Sequence, residues 1–308
     1  MRDRPLMPKK LSERFRKKIA KKIKKRAKGI ARPSPNEVRD DSGENAGFNK
    51  QNLLRLFESE INARVRWSES ESCIKLRGSE GKWAKAKGFV EQIRHAFYPL
   101  YDYKQAKTST LGSAPGCEAA PARLPGPDPA LVRKIPVRRN AGLSIGTRVD
   151  DQLTEAVNTG RVTSGALEPY TASMLAARQQ WGWQPLVSQF PIVFPEVRVG
   201  TRIDEIATDD ALRLILIENK TGYTNYLDKA RGMMRGPLSD VSDAPLNQHF
   251  LQLGLALICL ERHWGVAVHA GFVVQVDEAG VVPHPLPAWF HQRKQAIGDY
   301  FIDSLLRA

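Results

Sequence analysis

The chain has 308 residues, of which 42% are hydrophobic, and its 47 Lys and Arg against 33 Asp and Glu give a net charge of +14. No apolar run approaches the roughly 18 residues that a membrane helix needs, and no apolar segment follows the basic N-terminus. We therefore expect neither integral membrane association nor a secretory signal. The three widely spaced cysteines exclude a disulfide framework or a CxxC zinc site within one chain. The sequence predicts an intracellular protein, with the nucleus as an alternative in a eukaryotic host.

Positive charge is concentrated in a basic arm, residues 1–32, which holds 15 Lys and Arg and two acids. Apolar residues recur every four positions within it and would form one stripe of a helix: Leu11, Phe15, Ile19 and Ile23. Three interpretations stay open, namely a nucleic-acid-binding or nuclear-import arm, a membrane-surface helix, and a solvated tail without a specific partner. We favour the first, because the apolar stripe is thin and lacks tryptophan.

A small α+β module is expected over 47–100, after a polar, turn-rich linker at 33–46. The predicted order is helix, strand, strand, helix: 52–61, 63–67, 73–77 and 81–97. This order resembles the later part of a KH-type nucleic-acid-binding domain. Gly78-Ser79-Glu80-Gly81 looks like the GXXG loop of that family, but it follows the last strand. A module that serves packing or protein contacts is the alternative.

Residues 101–136 contain six prolines and are predicted to be an extended tether. The remaining residues, 137–308, are predicted to form an α/β domain with a mixed central sheet flanked by helices. Its helices are expected at 145–157, 167–180 and 246–261, and its strands at 187–194, 197–206, 212–220 and 271–276. A tight turn at 208–211 would join the second and third of these strands as a hairpin.

The strand at 212–220 carries the strongest chemical signal. Its apolar run at 214–217 predicts burial on both faces, yet it ends in Glu218, Asn219 and Lys220. Side chains alternate along a strand, so Glu218 and Lys220 project to one side. The hairpin would bring Asp204, 14 residues earlier, next to Glu218. Two carboxylates can bind a hard divalent cation, and a nearby lysine can orient or deprotonate an attacking water.

Asp204, a hairpin and then Glu218-x-Lys220 resemble the motif of the PD-(D/E)XK nuclease superfamily. Gln252-Leu253 on the following helix, and a strand after it, resemble the RecB-like and lambda-exonuclease-like branch. Two departures stand out. Ala256 occupies the place of the usual tyrosine, and Asp150, at the end of Gly146-Thr147-Arg148-Val149-Asp150, stands where the first helix commonly has a histidine. The resemblance covers about 140–285.

This resemblance implies a restriction-endonuclease-like fold and a Mg²⁺- or Mn²⁺-dependent deoxyribonuclease, exonuclease rather than endonuclease, acting in DNA replication, recombination or repair. It implies metal binding by Asp204, Glu218, the carbonyl of Asn219 and Asp150. Lys220 would position the water, and Gln252 would orient the metal–water cluster or the substrate phosphate. RNA as a substrate and an oligomeric assembly stay open. The alternative is a non-catalytic nucleic-acid-binding protein built on an inactive nuclease-like scaffold.

Basic and aromatic residues after the same strand predict contacts with a nucleic-acid strand: Tyr223, Lys229, Arg231 and Arg235. A connecting loop with ordinary surface charges is the alternative. Glu205 faces away from Asp204 and is expected at the surface. Glu168 is expected to be a charge in the first turn of its helix, with an upstream acid of the site as the alternative. Gln189 and Gln248 are expected to be structural, with DNA contacts as the alternative.

Overall fold

A computed structural model of the protein describes residues 64–68, 70, 73–77, 82–98, 141–163, 165–222, 230 and 232–307. The chain divides into two units, 1–46 and 47–308, and every described residue belongs to the second. Several predicted features therefore lie outside the described residues: the basic arm, the linkers at 33–46 and 101–136, the helix at 52–61 and the Gly78–Gly81 segment.

The first described elements form a three-stranded antiparallel sheet: β1 (Val65–Ser68), β2 (Cys73–Arg77) and β3 (Trp83–Lys85). A short strand β4 (Lys87–Gly88) then leads into helix α1 (Phe89–Phe97). The later helices are α2 (Ala141–Thr159), α3 (Pro169–Gln180), α4 (Pro245–Trp264) and α5 (Ala288–Arg307). The later strands are β5 (Gln184–Phe194), β6 (Val199–Thr208), β7 (Leu214–Thr221), β8 (Ala270–Asp277) and β9 (Gly280–Pro285).

The central sheet is mixed and runs in the order β4-β6-β7-β8-β9, with β5 also paired to β6. Strands β6 and β7 form the predicted antiparallel hairpin. Helix α4 then connects β7 to β8, and those two strands are parallel, as a helical crossover requires. The antiparallel pair β8–β9 completes the sheet. The predicted α/β class, with a mixed sheet flanked by helices, is confirmed.

Helices cover both faces of this sheet, and β7 separates two hydrophobic clusters. Leu214 and Leu216 pack in the cluster that contains residues of α1, α4 and α5. Ile215 and Ile217 pack in the cluster that contains residues of α2 and α3. All four side chains are buried, as the continuous apolar run predicted. The polar residues Glu218, Asn219 and Lys220 follow this run directly, and Glu218 is buried as well.

The predicted closing helix at 81–97 is wrong in its first half. Residues Trp83–Lys85 pair with β2 and residues Lys87–Gly88 pair with β6, so the helix begins only at Phe89. The apolar spacing that suggested one long helix does place Phe89, Ile93 and Ala96 in the core. Before Gly88, strand pairing with distant residues outweighs the local helical pattern. This pairing satisfies the backbone N–H and C=O groups that a helix would otherwise satisfy.

The described part of 47–100 shares one core with the C-terminal domain, so the prediction of a separate module does not hold there. Phe89 stacks on Phe194 of β5 with ring centroids 6.2 Å apart, and it meets the edge of Phe301 of α5 at 5.9 Å. Val65 and Ile74 belong to the same buried cluster. Residues 47–308 accordingly form one compact unit.

Strand β9 and helix α5 are additions that the sequence patterns did not predict. Helix α5 packs against α4, where the ring of Phe290 lies directly over Gly254; any Cβ at this position would collide with the ring. In the part of the chain that the structure describes, no helix combines the length and the apolar character needed to span a membrane.

Candidate active site

Three predicted side chains meet at the end of β7. The Lys220 Nζ donates a hydrogen bond to Glu218 Oε1 at 2.6 Å, and the Gln252 Nε2 of α4 donates to the same oxygen at 3.0 Å. The side chain of Glu218 is only 4% exposed and that of Lys220 is 18% exposed. Strand alternation thus places the carboxylate and the ammonium on one side, and the crossover helix supplies an amide above them.

Asp204 adjoins this group from the neighbouring strand. Glu205 lies opposite Ile217 in the β6–β7 ladder, so Asp204 falls opposite Glu218. The Asp204 Oδ2 accepts a hydrogen bond from the backbone N–H of Asn219 at 2.9 Å. The hairpin therefore brings the two predicted acids to the same edge of the sheet, as the spacing indicated.

Asp150 joins the site through Gln189, a residue expected to be structural rather than to contact DNA. The Gln189 Nε2 donates to both carboxylate oxygens of Asp150, at 2.9 and 3.1 Å, and lies 3.5 Å from Asp204 Oδ1. Gln189 has a positive φ of 52°, which is rare for a residue with a side chain. Its amide therefore links α2 to β6 from a strained position in β5.

The electrostatics of the site reflect crowded negative charge. Burial, and then the charge of Asp204, raise the pKa of Asp150 to about 6. The same two causes raise the pKa of Glu218, while Lys220 opposes them. Burial, followed by the charge of Lys220, holds the pKa of the nearby His249 at about 3, so this imidazole is neutral at physiological pH. A positive charge added beside the acids would relieve the repulsion between them.

The donor set suits a hard divalent cation in its chemistry. Asp204 and Glu218 supply carboxylate oxygens, and Asp150 and the backbone carbonyl of Asn219 are the further oxygen donors that the sequence predicted. As arranged here, no group of three or more His, Cys, Asp or Glu side chains among the described residues could hold a metal ion. Closing around a cation would require the Gln189 amide and the Lys220 ammonium to give up part of their contacts with the acids.

Glu205 is buried, and the prediction that it lies at the surface is wrong. Its Oε2 lies 2.5 Å from the Nη2 of Arg178 on α3, and both side chains are at most 4% exposed. Burial raises the pKa of Glu205 to about 7 and lowers that of Arg178, while each charge opposes the shift of the other. The short contact has the geometry of a charge-assisted pair. The same Arg178 Nη2 also donates to Asn219 Oδ1 at 3.3 Å, which connects this pair to the strand end.

Breaking this buried pair should be strongly destabilising. We expect Arg178→Met to lower the free energy of unfolding by about 3 kcal/mol, because Glu205 would lose its buried partner and would have to remain as an unpaired charge or take up a proton. The double variant Arg178→Met, Glu205→Leu should recover most of that loss. Chemical denaturation measures both. The control is Arg262→Met, whose ion pair with Asp299 is exposed and should contribute less than about 1 kcal/mol. Wild-type stability of the Arg178 single variant would contradict this assignment.

Of the four residues predicted to contact nucleic acid, the structure describes only Arg235. Tyr223, Lys229 and Arg231 lie outside the described residues. The backbone N–H of Arg235 donates to the carbonyl of Phe97 at 2.8 Å, just before a short 3₁₀ helix (Gly236–Leu238). In the described part of the chain, no hydrogen bond or ion pair joins Arg235 to Asp204 or Glu218.

Two further polar residues have structural partners, as expected. Glu168 is the residue before α3, and its carboxylate pairs with Arg148 Nε at 2.6 Å. The Gln248 amide donates to Asp243 at 2.5 Å. Each of these contacts joins neighbouring segments rather than the acids at the end of β7.

No protein-family model matches this chain, and no curated protein does. Solved structures that match it include the crystal structure of SSO0001, which is 15% identical and has a TM-score of 0.27. That match covers 45% of this chain and 57% of the other, so the chain spans little more than half the length of SSO0001. At this TM-score the likeness carries no argument about fold or function.

Proposed function

We propose that the protein is a Mg²⁺- or Mn²⁺-dependent nuclease of the PD-(D/E)XK type that hydrolyses phosphodiester bonds of DNA. The observation that supports this proposal most directly is the contact of Lys220 and Gln252 with one oxygen of Glu218, beside Asp204. A buried carboxylate, an ammonium and an amide gathered at the end of a core strand are expensive to maintain for structure alone. Carboxylates can hold the cation that activates a water, and an ammonium beside them can orient that water toward a phosphodiester.

In this proposal Asp204, Glu218, the carbonyl of Asn219 and Asp150 would hold the cation. When bound, the cation would lower the pKa of a coordinated water and stabilise negative charge on the phosphate. Lys220 orients the attacking water, because its ammonium, which carries three N–H donors, is anchored beside the acids by Glu218. Gln252 fixes the Glu218 carboxylate from α4. The Gln189 amide holds Asp150 toward the site.

We further propose an exonuclease that acts in DNA replication, recombination or repair. The test is digestion of linear duplex, covalently closed circular and single-stranded DNA with Mg²⁺, with Mn²⁺ and with EDTA. We expect cation-dependent loss of linear DNA from its ends and resistance of the closed circle. Cleavage of the circle would indicate an endonuclease. RNA in the same assay tests the alternative substrate.

A protein that binds DNA but cleaves none of these substrates would be the non-catalytic scaffold. Thermal unfolding with and without Mg²⁺ supplies an independent measurement, because a ligand that binds only the folded state stabilises it. An unchanged melting temperature over millimolar Mg²⁺ and Mn²⁺ would contradict a metal site at the end of β7.

Deletion of the basic arm should weaken binding to all nucleic-acid sequences alike and leave the chemical step intact. The arm holds +13 of the net charge of +14. For every duplex phosphate that the arm no longer neutralises, the salt slope of log K should fall by about 0.9. Fluorescence anisotropy at several salt concentrations measures the slope, and single-turnover cleavage at saturating protein measures the chemical step. An unchanged slope would mean that the arm serves another partner.

A further inference from the structure

An arginine stands two positions before Asp204 on the same strand. The β5–β6 ladder is regular at this point, where Pro191 pairs with Arg202. Side chains alternate along a strand, so those of Arg202 and Asp204 project to the same side, with Cα atoms about 7 Å apart. Strand β6 therefore offers a guanidinium next to an acid to which the proposed function assigns the cation.

The charge of Arg202 also reaches Asp150. Burial, and then the charge of Asp204, raise the pKa of Asp150, and Arg202 is the strongest of the charges that lower it, ahead of Lys220. Coulomb interactions weaken with distance. The Arg202 guanidinium is therefore a near neighbour of Asp150 on α2 as well as of Asp204 on β6.

Trp67 of β1 holds this guanidinium in place. The central carbon of the guanidinium lies 4.0 Å from the ring centroid of Trp67, which is a cation–π contact. Both residues are half-buried, so the contact is not sealed within the core. A guanidinium that is stacked by its face keeps its N–H donors at the edge, in one plane. The stacking thus orders the arginine without using its hydrogen-bond donors.

Arg202 differs in its partners from two other cations near the site. Lys220 forms an ion pair with Glu218, and Arg178 forms one with Glu205. In the described part of the chain, no ion pair and no side-chain hydrogen bond joins Arg202 to an acid. Arg202 therefore brings positive charge to the site without being bound to one of its carboxylates.

Charge balance alone does not account for this arrangement. A guanidinium that only neutralised Asp150 or Asp204 would form a short, charge-assisted hydrogen bond with one of them. Stacking on Trp67 instead leaves the donors of Arg202 to a further anion. The proposed substrate brings such an anion, because every phosphate of a DNA strand carries a negative charge and the arginine fork matches two phosphate oxygens.

We propose that Arg202, positioned by Trp67, binds the phosphate next to the one that is cleaved in the bound DNA strand. This inference rests on the proposed function and adds a substrate contact to it. Arg202 lies two residues along β6 from Asp204, so the phosphate that it contacts is displaced along the DNA strand from the phosphate at the acids. An arginine that is already ordered loses little side-chain entropy on binding, so the contact strengthens DNA binding before the chemical step.

The first test measures DNA binding by the full chain in EDTA, where a cation-dependent enzyme does not cleave. We expect Arg202→Gln to bind duplex DNA about tenfold more weakly than the wild type and to lower the salt slope of log K by about 0.9. Arg202→Lys keeps the charge but not the planar fork, so it should bind about threefold more weakly with an unchanged slope. Arg202→Lys replaces Arg202→Gln if the latter unfolds.

The matched control is Arg161→Gln, which removes an exposed arginine just after α2. The end of α2 lies about 14 Å along the helix axis from Asp150, beyond the screening length of about 8 Å at physiological salt. DNA affinity of the control should therefore stay within about twofold of the wild type. With Mg²⁺, Arg202→Gln should raise KM about tenfold and leave kcat within about twofold, because the lost contact serves substrate and transition state alike.

Cleavage of DNA that carries single uncharged methylphosphonates locates the contact. In the wild type, kcat/KM for a given bond should fall about tenfold when the phosphate beside it is neutral. In Arg202→Gln the same modification should change kcat/KM by less than about twofold, because the partner of that phosphate is already missing.

Equal DNA affinity of Arg202→Gln and Arg161→Gln, or the same methylphosphonate pattern in Arg202→Gln and the wild type, would overturn the inference. So would a lower melting temperature of Arg202→Gln with unchanged DNA affinity, which would assign the Trp67 contact to packing. Absence of DNA binding by the wild type would overturn both the inference and the proposed function. Wild type that binds DNA through Arg202 and cleaves none would refute the nuclease and leave the phosphate contact standing.

Discussion

Replacing Lys220 with alanine should reduce DNA cleavage by about 10²–10⁴-fold, the range that a positioned proton-transfer group contributes. The substitution removes the ammonium that contacts Glu218 at 2.6 Å but leaves Asp204, Glu218 and the Gln252 hydrogen bond in place. Cation and DNA binding should therefore persist while the attacking water loses its orienting group. Single-turnover cleavage, DNA affinity and melting temperature are measured on the same preparation.

The matched control is Lys294→Ala, which removes a lysine from an ion pair of the same length, 2.6 Å, with Glu261 between α4 and α5. Its cleavage rate should equal that of the wild type. A scaffold protein would instead show slightly weaker DNA binding by Lys220→Ala and no rate to lose. A purely structural pair would show reduced stability alone. Cleavage by Lys220→Ala within a few-fold of the wild type would contradict the mechanism.

Glu218→Gln and Asp204→Asn should each abolish measurable cleavage without unfolding the domain. Glutamine keeps an oxygen that can accept from Lys220 and Gln252, and asparagine keeps an oxygen that can accept from the Asn219 N–H. Each change removes one negative charge from a crowded site, so the melting temperature without metal should stay level or rise. The stabilisation by Mg²⁺ should fall in both variants. Asp299→Asn, at an exposed ion pair, is the control.

The raised pKa values of the buried acids predict how the stability of the metal-free protein depends on pH. Burial raises the pKa of Asp150 to about 6 and also raises that of Glu218. An acid whose pKa is higher in the folded state binds more protons there, so the metal-free protein should lose stability as the pH rises from about 4 through about 6. Glu218→Gln and Asp150→Asn should each flatten this dependence, and saturating Mg²⁺ should do the same. Stability that rises with pH over this interval in the wild type would contradict the shifts.

Patterns along the chain were sufficient to predict the centre of the candidate site. The apolar run 214–217 predicted a strand buried on both faces, and alternation placed Glu218 and Lys220 on one side. The turn at 208–211 predicted the hairpin that brings Asp204 opposite Glu218. Both features involve residues close in sequence and a single pair of hydrogen-bonded strands, so local geometry determines them.

Arg178, 41 residues before Asn219, could not be assigned in the same way. It lies on α3, and only the packing of that helix against the sheet gives it Glu205 as a partner. A signal was present in the sequence, because Glu205 precedes Ile206 and Ala207 on a strand that pairs with the apolar run at 214–217. A carboxylate in that setting needs a buried counter-ion. The sequence does not say which of the basic residues supplies it.

The sequence alone determined the distribution of charge along the chain. Its local periodicity predicted the α/β class, and the short spacing between residues predicted the Asp204–Glu218–Lys220 arrangement. Tertiary structure decided the rest. It placed the Gln189 amide between Asp150 and Asp204, which come from different elements. It also turned Trp83–Lys85 from a predicted helix into a strand whose register aligns Lys85 with Lys75. The physical reason is that pairing and packing between distant segments contribute more free energy than the small helix or strand propensity of a few residues.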